Sequence, residues 1–362
     1  MPESLSDLTL DDFARRLAAA GFSAAHAGPV LRAHYGQGSS SPRPGLLPPA
    51  GLEAWLATAF TPTAEVVQRA ASADGTVKLL LRCRDGATIE AVLMPGDRSD
   101  RAAGCLSSQV GCAMGCDFCA TARTGFLRHL TSGEIVAQFR ALRREAAAQG
   151  RSLKTVVFMG MGEPMLNLPA VLAAAERLAD NRVGGLGWRQ ITVSTVGVIP
   201  GIDALTAAGH SLNLAVSLHA PDDATRARLL PPGRRFAVAD VLAAADRFQA
   251  ARGRPVTLQY CLLHGVNDAP EQAEQLAGLV GARRMHVNLL HYNATGLGLG
   301  GARYEAVPVA GAEAFAAILR RRGVVAHFRR PRGPDIDAAC GQLRRRVLAE
   351  SAGDVSPGDA SA

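Results

Sequence analysis

The sequence predicts an α/β fold: a partial (β/α)6 barrel, open on one side, preceded by a small helical module and a β-hairpin linker. Three observations predict it. After residue 100, short apolar runs alternate with segments of helical periodicity, the pattern of parallel strands joined by crossover helices. There are about six such units, too few for a closed eight-stranded barrel. Before residue 100 the pattern is different, first helical and then, from Thr76, alternating.

Taken in order, residues 1–75 read as a helical module. Leu8, Leu10, Phe13 and Leu17, then Ala24, Val30 and Leu31, recur at helical spacing, and a further helical piece runs from about Leu52 to Phe60. A Ser/Pro/Gly-rich stretch, GQGSSSPRPG, interrupts them. Residues 76–97 contain VKLLLRC and ATIEAVLMP around the turn-like RDGA, a β-hairpin. Residues 98–335 form the barrel, with strands expected at GCLSSQV, KTVVFMG, QITVSTV, SLNLAVSL, PVTLQYCLL, MHVNLL and VVAHF. The helices between them are expected at EIVAQFRALRREAAA, LPAVLAAAERLA, IPGIDALTAA, FAVADVLAAADRFQAA, PEQAEQLAGLV and GAEAFAAILRR. Residues 336–349 read as a C-terminal helical segment, and the polar, small-residue stretch 350–362 as a disordered tail.

At 362 residues with 48% hydrophobic and 20% charged content, the chain has ample material for a buried core. No uncharged apolar run is long enough to span a bilayer, and the N-terminus lacks the apolar core of a signal peptide, so the expected address is cytoplasmic with no membrane partner. In a reducing compartment the seven cysteines point to metal ligands, catalytic thiols or buried apolar residues rather than a disulfide framework. The net charge of +7 favours polyanionic partners. Arginines cluster at 320–322, at 329, 330 and 332, and at 344–346. These read either as a phosphate-tracking surface or as a solvated face.

Cys112, Cys116 and Cys119 form a CxxxCxxC pattern in a Gly-punctuated loop after the first barrel strand. Three thiolates with an open fourth position suit a four-iron four-sulfur cluster that leaves one iron free for a ligand. Structural zinc is the alternative, with His129 as the local fourth candidate. The next strand ends in Gly160-Met161-Gly162-Glu163-Pro164, where glycines let the backbone approach a ligand and Glu163 accepts from a cationic amine. Gly162, Glu163, Ser194, Ser217, Leu218, His219 and Asn293 all fall at expected strand C-termini, where such a barrel opens, and together read as a cofactor-binding rim.

Two cysteines outside the cluster narrow the reading. Cys105 lies in GCLSSQVGC, and Cys340 lies in GPDIDAACGQL, flanked by Ala and Gly that leave its sulfur unshielded. The CxxxCxxC pattern resembles the radical S-adenosylmethionine superfamily. The segments CLSSQVGCAMGCDFCATARTGFLRHLT, FMGMGEPMLN, ITVSTVGVIPGI, AVSLHAPDD, HGVNDAPE and GPDIDAACGQL resemble a bacterial family of dual-specificity RNA methyltransferases, which make 2-methyladenosine in 23S ribosomal RNA and certain transfer RNAs.

That resemblance implies one 4Fe-4S cluster on Cys112, Cys116 and Cys119, and S-adenosylmethionine used twice per turnover. It implies that Cys340 takes a methyl group from the first S-adenosylmethionine. A radical derived from the second then activates that methyl for addition to carbon 2 of adenine. Cys105 would release the product by a transient disulfide with Cys340, and Glu90 would act as the general base. The target adenosine must leave its stack, so unpaired or flipped RNA is the expected substrate, with the arginine clusters and the helical module of residues 1–75 as the expected RNA-binding elements. A one-electron reductant such as flavodoxin is the expected redox partner, and the protein is expected to act as a monomer. Cys83 and Cys261 match no family role and read as structural.

The chain departs from the family at His291-Tyr292-Asn293, where a Pro-aromatic-Asn run is usual, in the Gly-rich insert TGLGLGGARY that follows, and at PPGRRF, where lysines are usual. The alternatives are a carbon 8 adenine methyltransferase and a non-catalytic iron–sulfur RNA-binding protein. The GEP motif and SSQVGCAMGC favour carbon 2.

Overall fold

The computed structural model describes residues 3–36, 49–329, 333 and 336. The N-terminal region holds α1 (Leu10–Ala19), α2 (Ala27–His34) and α3 (Leu52–Ala59). A capping box between Thr9 and Asp12 starts α1 by satisfying two otherwise orphaned amides, worth about 1 kcal/mol. Phe13, Leu17, Leu31 and Tyr35 are fully buried in the same apolar cluster as the barrel helices. Arg140 Nε donates to His34 O at 2.6 Å, tying this region to the barrel by polar contact as well.

Next come β1 (Ala64–Ala71), β2 (Val77–Cys83) and β3 (Thr88–Pro95), an antiparallel meander. The expected hairpin is β2–β3, but it is not a free-standing linker. Its outer neighbour β1 was expected to be part of the helical module. AEVVQRAA lies on a sheet edge with Val66 and Val67 exposed, so it lacks the apolar alternation that marks a half-buried strand. On the other side β3 pairs antiparallel with β4 (Arg101–Cys105), which joins the meander to the main sheet.

The expected strand GCLSSQV is split. After β4 the chain leaves the sheet at residues 106–108 and forms β5 (Gln109–Gly111), which pairs with β6 (Phe126–His129) as a separate two-stranded ribbon. Seven parallel strands then run in sequence order from β4 through β7 (Ser152–Phe158), β8 (Ile191–Thr195), β9 (Asn213–Ser217), β10 (Val256–Leu262), β11 (Met285–His291) and β12 (Val325–Arg329). The crossovers are α4 (Ser132–Ala148), α5 (Leu168–Ala179), α6 (Ile199–Ala207), α7 (Asp223–Leu229), α8 (Val238–Arg252), α9 (Pro270–Val280) and α10 (Val309–Arg321). Among the described residues the ten-stranded sheet has β1 and β12 as edges, so the barrel is open, as the sequence predicts.

Each strand alternates between two environments. On β10, Val256, Leu258 and Tyr260 are fully buried, and Tyr260 meets Phe315 of α10, so these residues face the helices. Thr257 and Gln259 therefore face the hollow of the sheet. The same alternation turns Val287 and Leu289 outward on β11 and Asn288 inward, and turns Ile89, Ala91 and Leu93 of β3 toward the core and Glu90 inward.

Candidate functional site

The cysteine loop is held at its base by the β5–β6 ribbon. Cys112 N donates to Gly125 O at 2.9 Å, and Gly111 has φ +77° with Gly125 O only 1.8 Å from where a Cβ would sit, so glycine is required there. The segment leading in is stitched to its surroundings by buried amides. Ser107 N donates to Gln138 Oε1, Glu163 N donates to Gln109 Oε1, and Asn167 Nδ2 donates to Ser108 O and Leu130 O. Gln109, Gln138 and Asn167 were not singled out in the sequence. Their only signal was a polar residue inside an otherwise apolar segment.

Cys112, Cys116 and Cys119 line one cavity of about 320 Å³ at the C-terminal ends of the strands. Gly162, Glu163, Ser194, Ser217, His219 and Asn293 line the same cavity. Leu218 does not: its side chain is fully buried in the main core. Burial, and then the charge of neighbouring groups, pushes the Cys112 thiol up to about 12 and the Cys116 thiol well above the ordinary range. Three crowded thiols cannot all ionise unless a cationic centre sits among them, which is what metal binding supplies. Among the described residues no three His, Cys, Asp or Glu side chains are arranged to hold a single metal ion. All three thiols face one cavity with room beside them, and three cysteines with an open fourth position are the donor set of an iron–sulfur cluster that keeps one iron free. His129, the expected fourth ligand of a zinc site, is engaged by Gln109 Nε2 at 3.1 Å.

The rim is polar and rigid. Burial raises Glu163 to about 7; its Oε2 accepts from Val196 N at 2.9 Å and its Oε1 from Met165 N at 3.0 Å, so it also locks the ends of β7 and β8 together. The glycines of GMGEP make room for protein, not for ligand alone. A Cβ on Gly160 would lie 2.7 Å from Ser107 Oγ, and one on Gly162 would lie 2.5 Å from Gln109 Cβ. His219 has φ +59°, the one positive value among described non-glycine residues. Its Nδ1 accepts from Cys261 N at 2.9 Å, which leaves Nε2 as the protonated nitrogen, and burial lowers its pKa to about 3, so the ring is neutral. Buried Thr121 Oγ1 and His291 Nδ1 line the cavity without any hydrogen-bond partner, as expected of groups that meet a ligand.

Two features of this site were not legible as function. Cys261, read as structural, lines the cavity, with its thiol pushed up to about 12 by burial. The Gly-rich insert clasps the cluster loop. Tyr304 Oη donates to Asp117 Oδ2 at 2.5 Å, Gly300 N donates to Asp117 Oδ1 at 2.6 Å, and Thr295 Oγ1 donates to Phe118 O at 3.1 Å. A Cβ on Gly298 would fall 2.4 Å from Asp117 Oδ2. Cys83, by contrast, is buried beside Glu134 and Arg128 and does not line the cavity.

None of the expected catalytic residues that the structure describes lines this cavity. Cys340 and Arg330, Arg332, Arg344, Arg345 and Arg346 fall outside the described residues. Cys105 is buried on β4 opposite Val92, and Glu90 is buried two residues before Val92 on the same face, paired with Lys78 Nζ at 3.1 Å. Neither lines the cysteine cavity. Of the arginine clusters, Arg320 and Arg322 are partnered by Glu313 and Glu274 at the end of α10, where the next strand begins. No described helix is long and apolar enough to cross a membrane.

An open parallel sheet whose first crossover carries a three-cysteine loop defines the radical S-adenosylmethionine class, and the profile of the radical SAM superfamily matches residues 106–277. The chain is 65% identical over 347 residues to a "probable dual-specificity RNA methyltransferase RlmN 1" of Opitutus terrae, covering 96% of this chain and 98% of that protein. It is 46% identical to an RlmN of Rhodopirellula baltica over 79% of this chain and 75% of that one. A radical SAM methyltransferase from Sphaerobacter thermophilus superposes with a TM-score of 0.85 at 42% identity, over 94% of this chain and 99% of that one. This chain therefore belongs to the RlmN family of radical SAM methyltransferases.

Proposed function

We propose that this protein methylates carbon 2 of adenine in RNA, acting in the cytoplasm as a monomer on 23S ribosomal RNA and on transfer RNA beside the anticodon. The observation that carries the reading is the convergence of Cys112, Cys116 and Cys119 with Glu163 and the strand ends in one cavity of a chain similar over nearly its whole length to RlmN proteins.

Carbon 2 of adenine is electron-poor and its hydrogen is not usefully acidic, so direct attack on a methyl sulfonium is closed and a radical route is required. When bound, the cluster with S-adenosylmethionine supplies that radical, given one electron from a donor such as flavodoxin. The three cysteines hold the cluster. Gly162, Glu163, Ser194, Ser217, Leu218, His219 and Asn293 form the shell for S-adenosylmethionine, Leu218 through its backbone. The neutral His219 and buried Glu163 keep the shell fixed and exclude water.

Cys340 accepts a methyl group on its sulfur from one S-adenosylmethionine and carries it to the base, so two are used per turnover. Glu90 removes the proton from carbon 2, and Cys105 frees the product by closing a disulfide with Cys340 that an external thiol reopens. Nucleoside mass spectrometry of 23S ribosomal RNA and transfer RNA treated with the reconstituted enzyme should show 2-methyladenosine. Appearance of 8-methyladenosine alone would overturn the assignment.

A further inference from the structure

The cysteine cavity is not the end of the hollow. Met159, Gln259, Leu290, His291 and Asn293 line it and also line a second cavity of about 760 Å³ that runs down the concave face of the sheet. A closed barrel fills this space with packed branched side chains. Here the described wall carries Thr192, Thr257, Gln259 and Asn288. Val92, Met94 and Ala103 belong to the same wall. Strand alternation therefore puts Glu90 and Cys105, two and zero residues out of step with Val92 and its partner, on this face. The two expected catalytic residues that miss the cysteine cavity thus share the concave face with this one.

At its far end the hollow meets a groove at the N-terminal ends of the strands. Arg101, Lys154 and Thr155 line both. The groove, about 940 Å³, is also lined by Arg143, Arg151 and Arg189, and no carboxylate appears in its described wall. Arg101, Lys154 and Arg189 are exposed, and none of them forms an ion pair among the described residues. Such a surface repels cations and attracts a phosphate chain.

We propose that the RNA substrate enters from the N-terminal ends of the strands, its phosphates in the Arg101/Lys154/Arg189 groove and an extruded adenine in the polar hollow. The proposal rests on the reading of the protein as an RNA adenine methyltransferase and deepens it. It reverses the usual rule that such barrels take their substrate at the C-terminal face. S-adenosylmethionine keeps that face, and the base reaches the reacting centre from below. Gln and Asn amides match the donor and acceptor edge of adenine, and a chamber of this size admits a base with its sugar. His291, where both cavities meet and with Nδ1 unpartnered, lies between the two ligands.

The test uses an RNA hairpin with one unpaired adenosine replaced by 2-aminopurine, titrated into the full chain while anisotropy and base fluorescence are followed. The triple change Arg101→Glu, Lys154→Glu and Arg189→Glu should weaken binding at least about 30-fold and flatten the salt slope by about 2, near 0.7 per lost phosphate contact. Arg101→Lys with Lys154→Arg should stay within about threefold of the parent, separating lost charge from lost fold, and melting temperatures check the same point. Gln259→Leu with Asn288→Leu should abolish the fluorescence rise on unstacking while leaving the salt slope intact. Arg234→Glu with Arg235→Glu, exposed beside the cysteine loop at the opposite end, should change neither. If that pair removes binding and the triple change does not, the entry side is wrong. If the groove binds RNA as described but no 2-methyladenosine forms, the assigned reaction fails and the entry side stands.

Discussion

The two ends of the one sheet are built for opposite solvents. At the C-terminal ends of the strands, the thiols share a cavity with a buried carboxyl and a neutral histidine that are pinned by hydrogen bonds, and residues 295–304 clasp the cysteine loop. At the N-terminal ends, exposed Arg101, Lys154 and Arg189 have no carboxylate partner among the described residues. A radical reaction needs a dry, immobile site, because a carbon radical attacks whatever is nearest. A polyanion needs accessible cations that exchange counterions for phosphates. Crossover connections place all strand starts at one end and all strand stops at the other, so one sheet separates the two demands along its axis.

The comparison breaks first if one end depends on the other. Cys119→Ser should abolish iron binding and cofactor cleavage, read by iron content and 5′-deoxyadenosine, yet leave RNA hairpin affinity within about twofold, since the groove is held by other strands. Between the ends lies the buried Lys78–Glu90 pair. Lys78→Met should cost about 3–5 kcal/mol in urea unfolding by stranding a buried carboxylate, and adding Glu90→Leu should recover most of it.

A smaller effect is expected from His219, which stays neutral in the folded protein to about pH 3 while the unfolded chain takes up its proton near the ordinary value of 6.5. Its stabilisation is therefore complete above about pH 6.5 and is lost as pH falls toward 3. Between about pH 7 and about pH 5 its share is about 2 kcal/mol, absent from the slope of His219→Gln. His34, lowered to about 2 by burial near Arg140, adds its own slope and should be unaffected by that change. The smallest effect should come from Tyr304→Phe, which removes one hydrogen bond to Asp117, worth about 1 kcal/mol. Faster amide exchange at Gly300 would report the loosened clasp, with exchange in the groove unchanged.

Legibility followed amphipathicity. The helices α5 and α9 fall where their apolar spacing puts them, because their buried faces, such as Val171, Ala174, Ala175 and Leu178, repeat at helical period. The element β1 was hidden because an edge strand need not alternate, and α7 because it is short and buries Arg226, whose guanidinium donates to Val196 O and Phe236 O. GCLSSQV reads as one strand, but its serines turn away from the ladder to meet Gln138 and Asn167. The cysteine loop and most of the rim were legible because spacing along the chain is itself the chemistry of a chelate. The hollow was not, since Thr192, Thr257 and Asn288 share a face only after four strands are in register.

The central claim is that three sulfurs hold a cluster that cleaves S-adenosylmethionine. Protein reconstituted with iron and sulfide without oxygen, then given dithionite and S-adenosylmethionine, should form 5′-deoxyadenosine, and Cys112→Ala, Cys116→Ala and Cys119→Ala should each form none. Protein that takes up zinc in place of iron, or wild-type protein that yields no 5′-deoxyadenosine, would contradict the account.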